Sequence, residues 1–379
     1  MCCSRAAREE PTLLGIKNRE ALMKDYEPMA DYGFLGPDSV SWKVWGYPTS
    51  YILGFVRSVT IEHFDPNLAA AVVQSGGVKY RPATRYGRTL RYFGLQIFGG
   101  AEQTAKAADV LVKVHSKAIG HDPVTGGEYD ANSGDSQLWI HMTAWHSILK
   151  CYEMFGPGQL PQDEENQFWA ECREVAKLQT IDPDKVPTSR EAVHAYFEEW
   201  RPRLAASEAA QDMINFILPI DVALPVDTPR ALRVAIQPVT RLLRKAVIAT
   251  YPKYMRDMAG LHQSAAVDAA VIPPVKAFHT LLANNLQLRL MFMRWIAPAA
   301  VDIAAPAILG IPPKSDKIWE VREAQKAFGF DAPFNAHKDV RAKQRDRVFA
   351  QGLKPSDDGL IESQQHIGSM DVHNAAALG

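Results

Sequence analysis

Almost no stretch of this chain alternates apolar and polar residues with the period of a strand. Several segments instead repeat apolar residues at three- and four-residue spacings behind helix-capping side chains. "PTSREAVHAYFEEW" opens behind Pro187 with a capping box from Thr188 to Glu191. "VDTPRALRVAIQPVTRLLRKAVIATYP" places Thr228 at the cap and Pro229 at the first helical position, with a kink expected at Pro238. "SILKCYEMFGPG" ends in a Gly-Pro stop, and "HTLLANNLQLRLMFMRW" is apolar on most sides and so reads as a long buried helix. "PVTGGEYDA" reads as a loop or small turn, and no repeat of fixed period is present. The expected class is mostly α, a single large helical domain, with globin-like helix packing one arrangement open to it.

The 379 residues, 47 % hydrophobic, suffice for one large core. Residues 1–50 read as an irregular N-terminal arm and 51–313 as the helical domain. Residues 314–379 read as a polar C-terminal extension, partly disordered. The most apolar stretch, Leu288 to Pro313, is interrupted by Arg294, Pro298, Asp302 and Pro306. A buried helix pair or a peripheral membrane contact suits it better than a span.

Charge and cysteine usage remove several function classes. A net charge of −1 leaves no basic excess to neutralise phosphates, so nucleic acid is not an expected partner. The four cysteines (Cys2, Cys3, Cys151 and Cys172) form neither a CxxC pair nor a disulfide framework, which fits a reducing compartment. The first fifteen residues lack the apolar core of a secretory signal, so the expected location is cytoplasmic, with Cys2 and Cys3 open to acylation. Glu191 and His194 have the spacing of one half of a di-iron site, but no second pair exists. His141 and His146 are five apart, which at about 3.6 residues per turn takes them off the zincin geometry. Neither a phosphate loop nor a G-x-S-x-G elbow is present.

Three segments concentrate polar groups within apolar surroundings. In "ADVLVKVHSKAIG", Ala108, Leu111, Val112, His115 and Ala118 share one helix face. His115 is either a core histidine with a hydrogen bond or a residue that holds something. In "RYGRTLRYFGLQIFGG", Arg85, Arg88 and Thr89 cluster on one helix face. Gly87 and Gly94 suggest close approach of something large, the other reading being a surface charge patch with a packing glycine. Downstream, Tyr129, Trp139, His141 and Trp145 follow a loop; Trp139 and His141 suit either a cofactor's edge or a brace for that loop.

The order of these pieces carries a resemblance. Arg85-x-x-x-Thr89 is followed by Phe98-Gly99, then by His115 to Gly120 in a His-x-x-Val-x-Gly pattern with Ala118 at the Val place. Tyr129-Asp130-Ala131 and Trp139-Ile140-His141 come next, and "HFDPNLAAAVVQSGG" precedes them. From about Tyr51 to Pro313 the chain resembles the haem-dependent oxygenases that include the latex clearing proteins (rubber oxygenases) and MpaB of fungal mycophenolic acid synthesis.

The resemblance implies a helical domain enclosing non-covalent haem b, with His115 as the iron ligand. Tyr129, Trp139 and His141 would lie near the cofactor, and Arg85, Arg88 and Thr89 on the catalytic side. Where the latex clearing branch has a lysine, this chain has Arg88, which stays protonated and can serve neither as iron ligand nor as base. The family's acidic residue has no motif here; Glu62 is a neighbour of the right type. The implied function is oxygenation by O2 of a small hydrophobic, isoprenoid- or lipid-like substrate, with C=C cleavage to carbonyls as the outcome. The residues leave open a haem-dependent oxidase or dehydrogenase of a secondary metabolite, and a haem-free helical protein that binds a lipid or partner.

Overall fold

The structure, a computed structural model, describes residues 19–356 apart from 76–81, 123–125, 222–223 and 226. Cys2, Cys3 and the polar tail from Asp357 onward lie outside the described residues.

The chain builds helices α1 (Val40–Gly46), α2 (Leu53–Glu62), α3 (Pro66–Ser75), α4 (Pro82–Phe98) and α5 (Ala101–His115). A short antiparallel hairpin, β1 (Ile119–His121) with β2 (Glu128–Asp130), follows. Then come α6 (Gly134–Phe155), α7 (Gln162–Ala176), α8 (Arg190–Trp200), α9 (Glu208–Ile217), α10 (Arg230–Ala249) and α11 (Lys253–Met258). Helices α12 (Ala265–Asn284), α13 (Leu286–Ile296), α14 (Pro298–Leu309), α15 (Val321–Ala327) and α16 (Lys338–Arg345) complete the order. The mostly α class holds.

Helix α6 is the axis of the core. Trp139, Met142, Trp145 and Phe155 on it are all fully buried, the all-round burial expected of a helix with no solvent face. Helix α2 lies directly along it. A Cβ at Gly54 would sit 2.6 Å from Ile148 Cδ1 and 3.1 Å from Ile148 Cα, so only glycine permits this approach.

The segment before α2 is built into the same core. Glu171 of α7 accepts from the free backbone N–H groups of Val40 (3.1 Å) and Ser41 (2.7 Å), satisfying donors that α1 itself cannot. Trp45 of α1 stacks on Phe93 of α4 at 5.5 Å between ring centroids. At the other end, residues 314–319 pair with this N-terminal segment through Lys314 N–H to Met29 O (2.8 Å) and Trp319 N–H to Gly33 O (2.8 Å).

Four local expectations change. The cap of α8 is Ser189 rather than Thr188, its hydroxyl accepting from Ala192 N–H at 3.2 Å. Helix α10 begins at Arg230 behind Pro229, so Thr228 does not cap it. The stretch read as one long buried helix breaks at Asn285, whose side chain caps α13 by accepting from Leu288 N–H at 2.9 Å. Its two halves bury only one face, leaving Leu281 and Met291 exposed. What approaches Gly87 and Gly94 is α14: a Cβ there would lie 3.5 Å from Ala299 Cβ and 3.9 Å from Ala300 Cβ, ordinary helix packing.

Candidate active site

Helix α5 presents the stripe seen in the sequence: Ala108 and Val112 are buried, Leu111 and His115 half-buried. The helix stops at His115, so the imidazole stands in the last turn and Ala118 lies beyond it. Two side chains secure that end. Ser116 Oγ donates to Lys113 O (2.6 Å), and Asn132 Nδ2 donates to Val112 O (2.9 Å) from the far side of the hairpin.

The hairpin thereby brings the start of α6 against the ring. The side-chain amide of Gln137 lies 3.3 Å from His115 Nδ1 and also donates to Ala131 O. His115 Nε2 has no partner among the described residues. Burial holds the ring's pKa down to about 4, the charge of Arg85 pushing the same way and Asp130 opposing. At neutral pH His115 is therefore an uncharged imidazole, held by protein through Nδ1 alone.

Two residues stand at the end of α2: Glu62, named from the sequence only as a neighbour of the right type, and His63, which the sequence reading missed. Glu62 accepts from Ser58 Oγ at 2.8 Å, and burial raises its pKa to about 8 against the pull of Ser58 and Arg85. Its carboxyl keeps its proton at pH 7. His63 donates from Nδ1 to Val59 O (2.6 Å) and leaves a buried Nε2 without a partner; burial lowers it to about 4, with Arg85 again contributing. The weak signal for both was a Glu-His pair closing a largely buried helix.

Arg85 is the common neighbour of Glu62, His63 and His115, acting electrostatically on all three. Its side chain is exposed, and desolvation by the protein around it still lowers its pKa. Half-buried Arg88 sits near enough to weaken Arg85's hold on its proton. Thr89 spends its hydroxyl proton on Arg85 O, four residues back, at 3.0 Å, and retains acceptor capacity only.

The remaining three expected residues lie elsewhere. Tyr129 crosses over its strand partner Gly120, where a Cβ would sit 2.7 Å from the Tyr129 hydroxyl. Trp139 is fully buried, donates to Glu62 O at 3.3 Å and stacks on Trp200 at 4.9 Å. His141 is fully buried, with Nε2 2.9 Å from Cys172 O of α7. Trp139 and His141 brace α6 against its neighbours, and the buried Nδ1 of His141 has no hydrogen-bond partner among the described residues.

The fold and site together define a helical domain with its chemistry inside, grouping a neutral imidazole, a protonated carboxyl and a guanidinium. The chain belongs to the family described as ER-bound oxygenase mpaB/B'/rubber oxygenase, catalytic domain, which matches residues 42–284, and it is an oxygenase of that family. Neither the curated proteins nor the solved structures give a match.

Proposed function

We propose that the chain binds haem b through His115 and oxygenates a hydrophobic, isoprenoid- or lipid-like substrate with O2. The observation that carries this reading is the His115 ring, neutral, held at Nδ1 and unpartnered at Nε2. Among the described residues no three His, Cys, Asp or Glu gather as a cage for a bare metal ion. An iron carried by a porphyrin asks the protein for as little as one imidazole, which these residues fit.

When bound, the haem supplies the iron centre at which O2 is activated, and the family resemblance makes C=C cleavage into two carbonyls the expected outcome. The protein's own groups have separable tasks. His115 holds the cofactor and sets its position. Arg85 carries a fixed positive charge and N–H donors near Glu62 and His115, suited to stabilise negative charge that builds on reacting oxygen. Glu62 holds a transferable proton beside that charge, suited to general acid–base work near neutral pH. Arg88, with no lysine in its place, adds charge but no base.

Helix α12 supports a peripheral membrane contact. It is long and apolar enough to cross a membrane by length and composition, yet only 22 % of its apolar window is buried. A protein working from the cytoplasmic side against a lipid surface could draw an apolar substrate from there. The test is turnover under labelled O2. One labelled atom in each carbonyl product supports cleavage; unlabelled product, with O2 consumed, makes the protein an oxidase instead.

A further inference from the structure

A cavity of about 600 Å³ opens between α2, α6, α8 and the end of α10 and contains none of the residues grouped around His115. Its size is that of a small-molecule site. Arg57 lines it while being only 2 % exposed. The guanidinium donates from Nε to Thr250 Oγ1 (3.0 Å) and from Nη1 to Ser147 Oγ (2.7 Å). Nη1 also lies 3.3 Å from His146 Nδ1; because a guanidinium only donates, His146 Nδ1 accepts and its proton is on Nε2. Nη2 of Arg57 and Nε2–H of His146 have no partner among the described residues.

Among the described residues no carboxylate pairs with this buried cation. Burial raises the nearby Cys151 thiol to about 12 and lifts the phenols of Tyr251 and Tyr254, so all three are uncharged. The carboxylates lining the cavity are engaged away from Arg57: Glu153 and Glu165 share Arg190 (2.5 and 2.7 Å), and Glu198 pairs with Arg201 (3.2 Å). Lys150, also in the lining, forms no ion pair among the described residues. A buried charge without a counter-charge is costly, so the site is built for one that arrives from outside. The rest of the wall is apolar, with Leu149, Met154, Val193, Phe197 and Met255.

We propose that this cavity binds an amphiphilic carboxylate, its head group on Arg57 and His146 and its chain along the apolar wall. It is a site separate from the one around His115. Calorimetric titration of the purified full chain with decanoate, 1-decanol and acetate tests it.

Decanoate is expected to bind one per chain and more tightly than either control, without moving the absorption spectrum of bound haem. Arg57→Gln should weaken it at least about tenfold, the loss of a charge-assisted pair. If Arg57→Gln does not fold, Lys150→Glu decides, since that side chain makes no protein bond to lose; it should weaken decanoate and spare 1-decanol. Equal binding of decanoate and either control overturns the proposal. So does binding that neither substitution weakens, or binding of decanoate that displaces haem.

Discussion

The side-chain amide of Gln137 lies 3.3 Å from Nδ1 of His115 and at the same time donates to Ala131 O. With the amide nitrogen facing both groups, Nδ1 accepts and the imidazole proton sits on Nε2. Iron ligation through Nε2 needs the reverse, Nδ1–H donating to the amide oxygen, at the cost of the bond to Ala131. Gln137 is thus a positioning residue for the ring. Gln137→Leu is expected to weaken haem retention about 10- to 100-fold, the usual effect of losing an outer-shell partner, measured by haem titration of the folded apoprotein. Unchanged affinity would mean that Gln137 does not orient His115.

Glu62 and Arg85 should matter to turnover more than to folding. Glu62→Gln preserves the bond from Ser58 but cannot release a proton, and should lower kcat by about 10²- to 10⁴-fold. Because the carboxyl of Glu62 titrates near 8, wild-type activity that uses its proton should fall as pH rises through about 8, and this limb should vanish in the variant. Arg85→Met should cost about 10²- to 10³-fold in kcat through lost charge stabilisation.

Trp139 separates bracing from cofactor contact. Trp139→Ala removes a fully buried ring that stacks on Trp200 and is expected to cost about 3–5 kcal/mol in urea unfolding. Trp139→Phe retains an aromatic ring, loses the bond to Glu62 O, and should cost about 1 kcal/mol with the haem spectrum unchanged.

Stability should pass through a maximum near pH 6.5 to 7. Burial lowers His63, His115, His141 and His279 to about 4, so between about 4 and 6.5 the unfolded chain binds more protons and stability rises with pH. Glu62, raised to about 8, has the opposite sign: its folded carboxyl keeps a proton that the unfolded one gives up, so stability falls between about 4.5 and 8. The four histidines outweigh it below 6.5, and Glu62 acts without that opposition above. Melting temperatures of the apoprotein from pH 4.5 to 8.5 should show both limbs, the upper one absent in Glu62→Gln.

The helical class was legible in the sequence because periodicity and capping are local. So was the place of His115, a polar ring on an apolar helix stripe. Where α5 stops was not legible, since Ile119 leaves the helix to pair across a hairpin closed by Asp130 and Tyr129. The bracing contacts of Trp139 and His141 were not legible either, because a sequence shows proximity along the chain and not which helix face meets protein. Their partners, Trp200 and Cys172, lie 61 and 31 residues further on. Glu62 joins the site only because α2 ends beside α4, a tertiary fact. Arg57 was invisible for the same reason: its value lies in the counter-charge that the fold withholds.

The central claim is that His115 holds haem, and absorption spectroscopy tests it most directly. Wild type and His115→Ala would be expressed with haem supplied and purified side by side. The account predicts a strong Soret band in the wild type that is lost or shifted in the variant, with both proteins helical by circular dichroism. A folded, colourless wild type, or a Soret band identical in the two proteins, would contradict it.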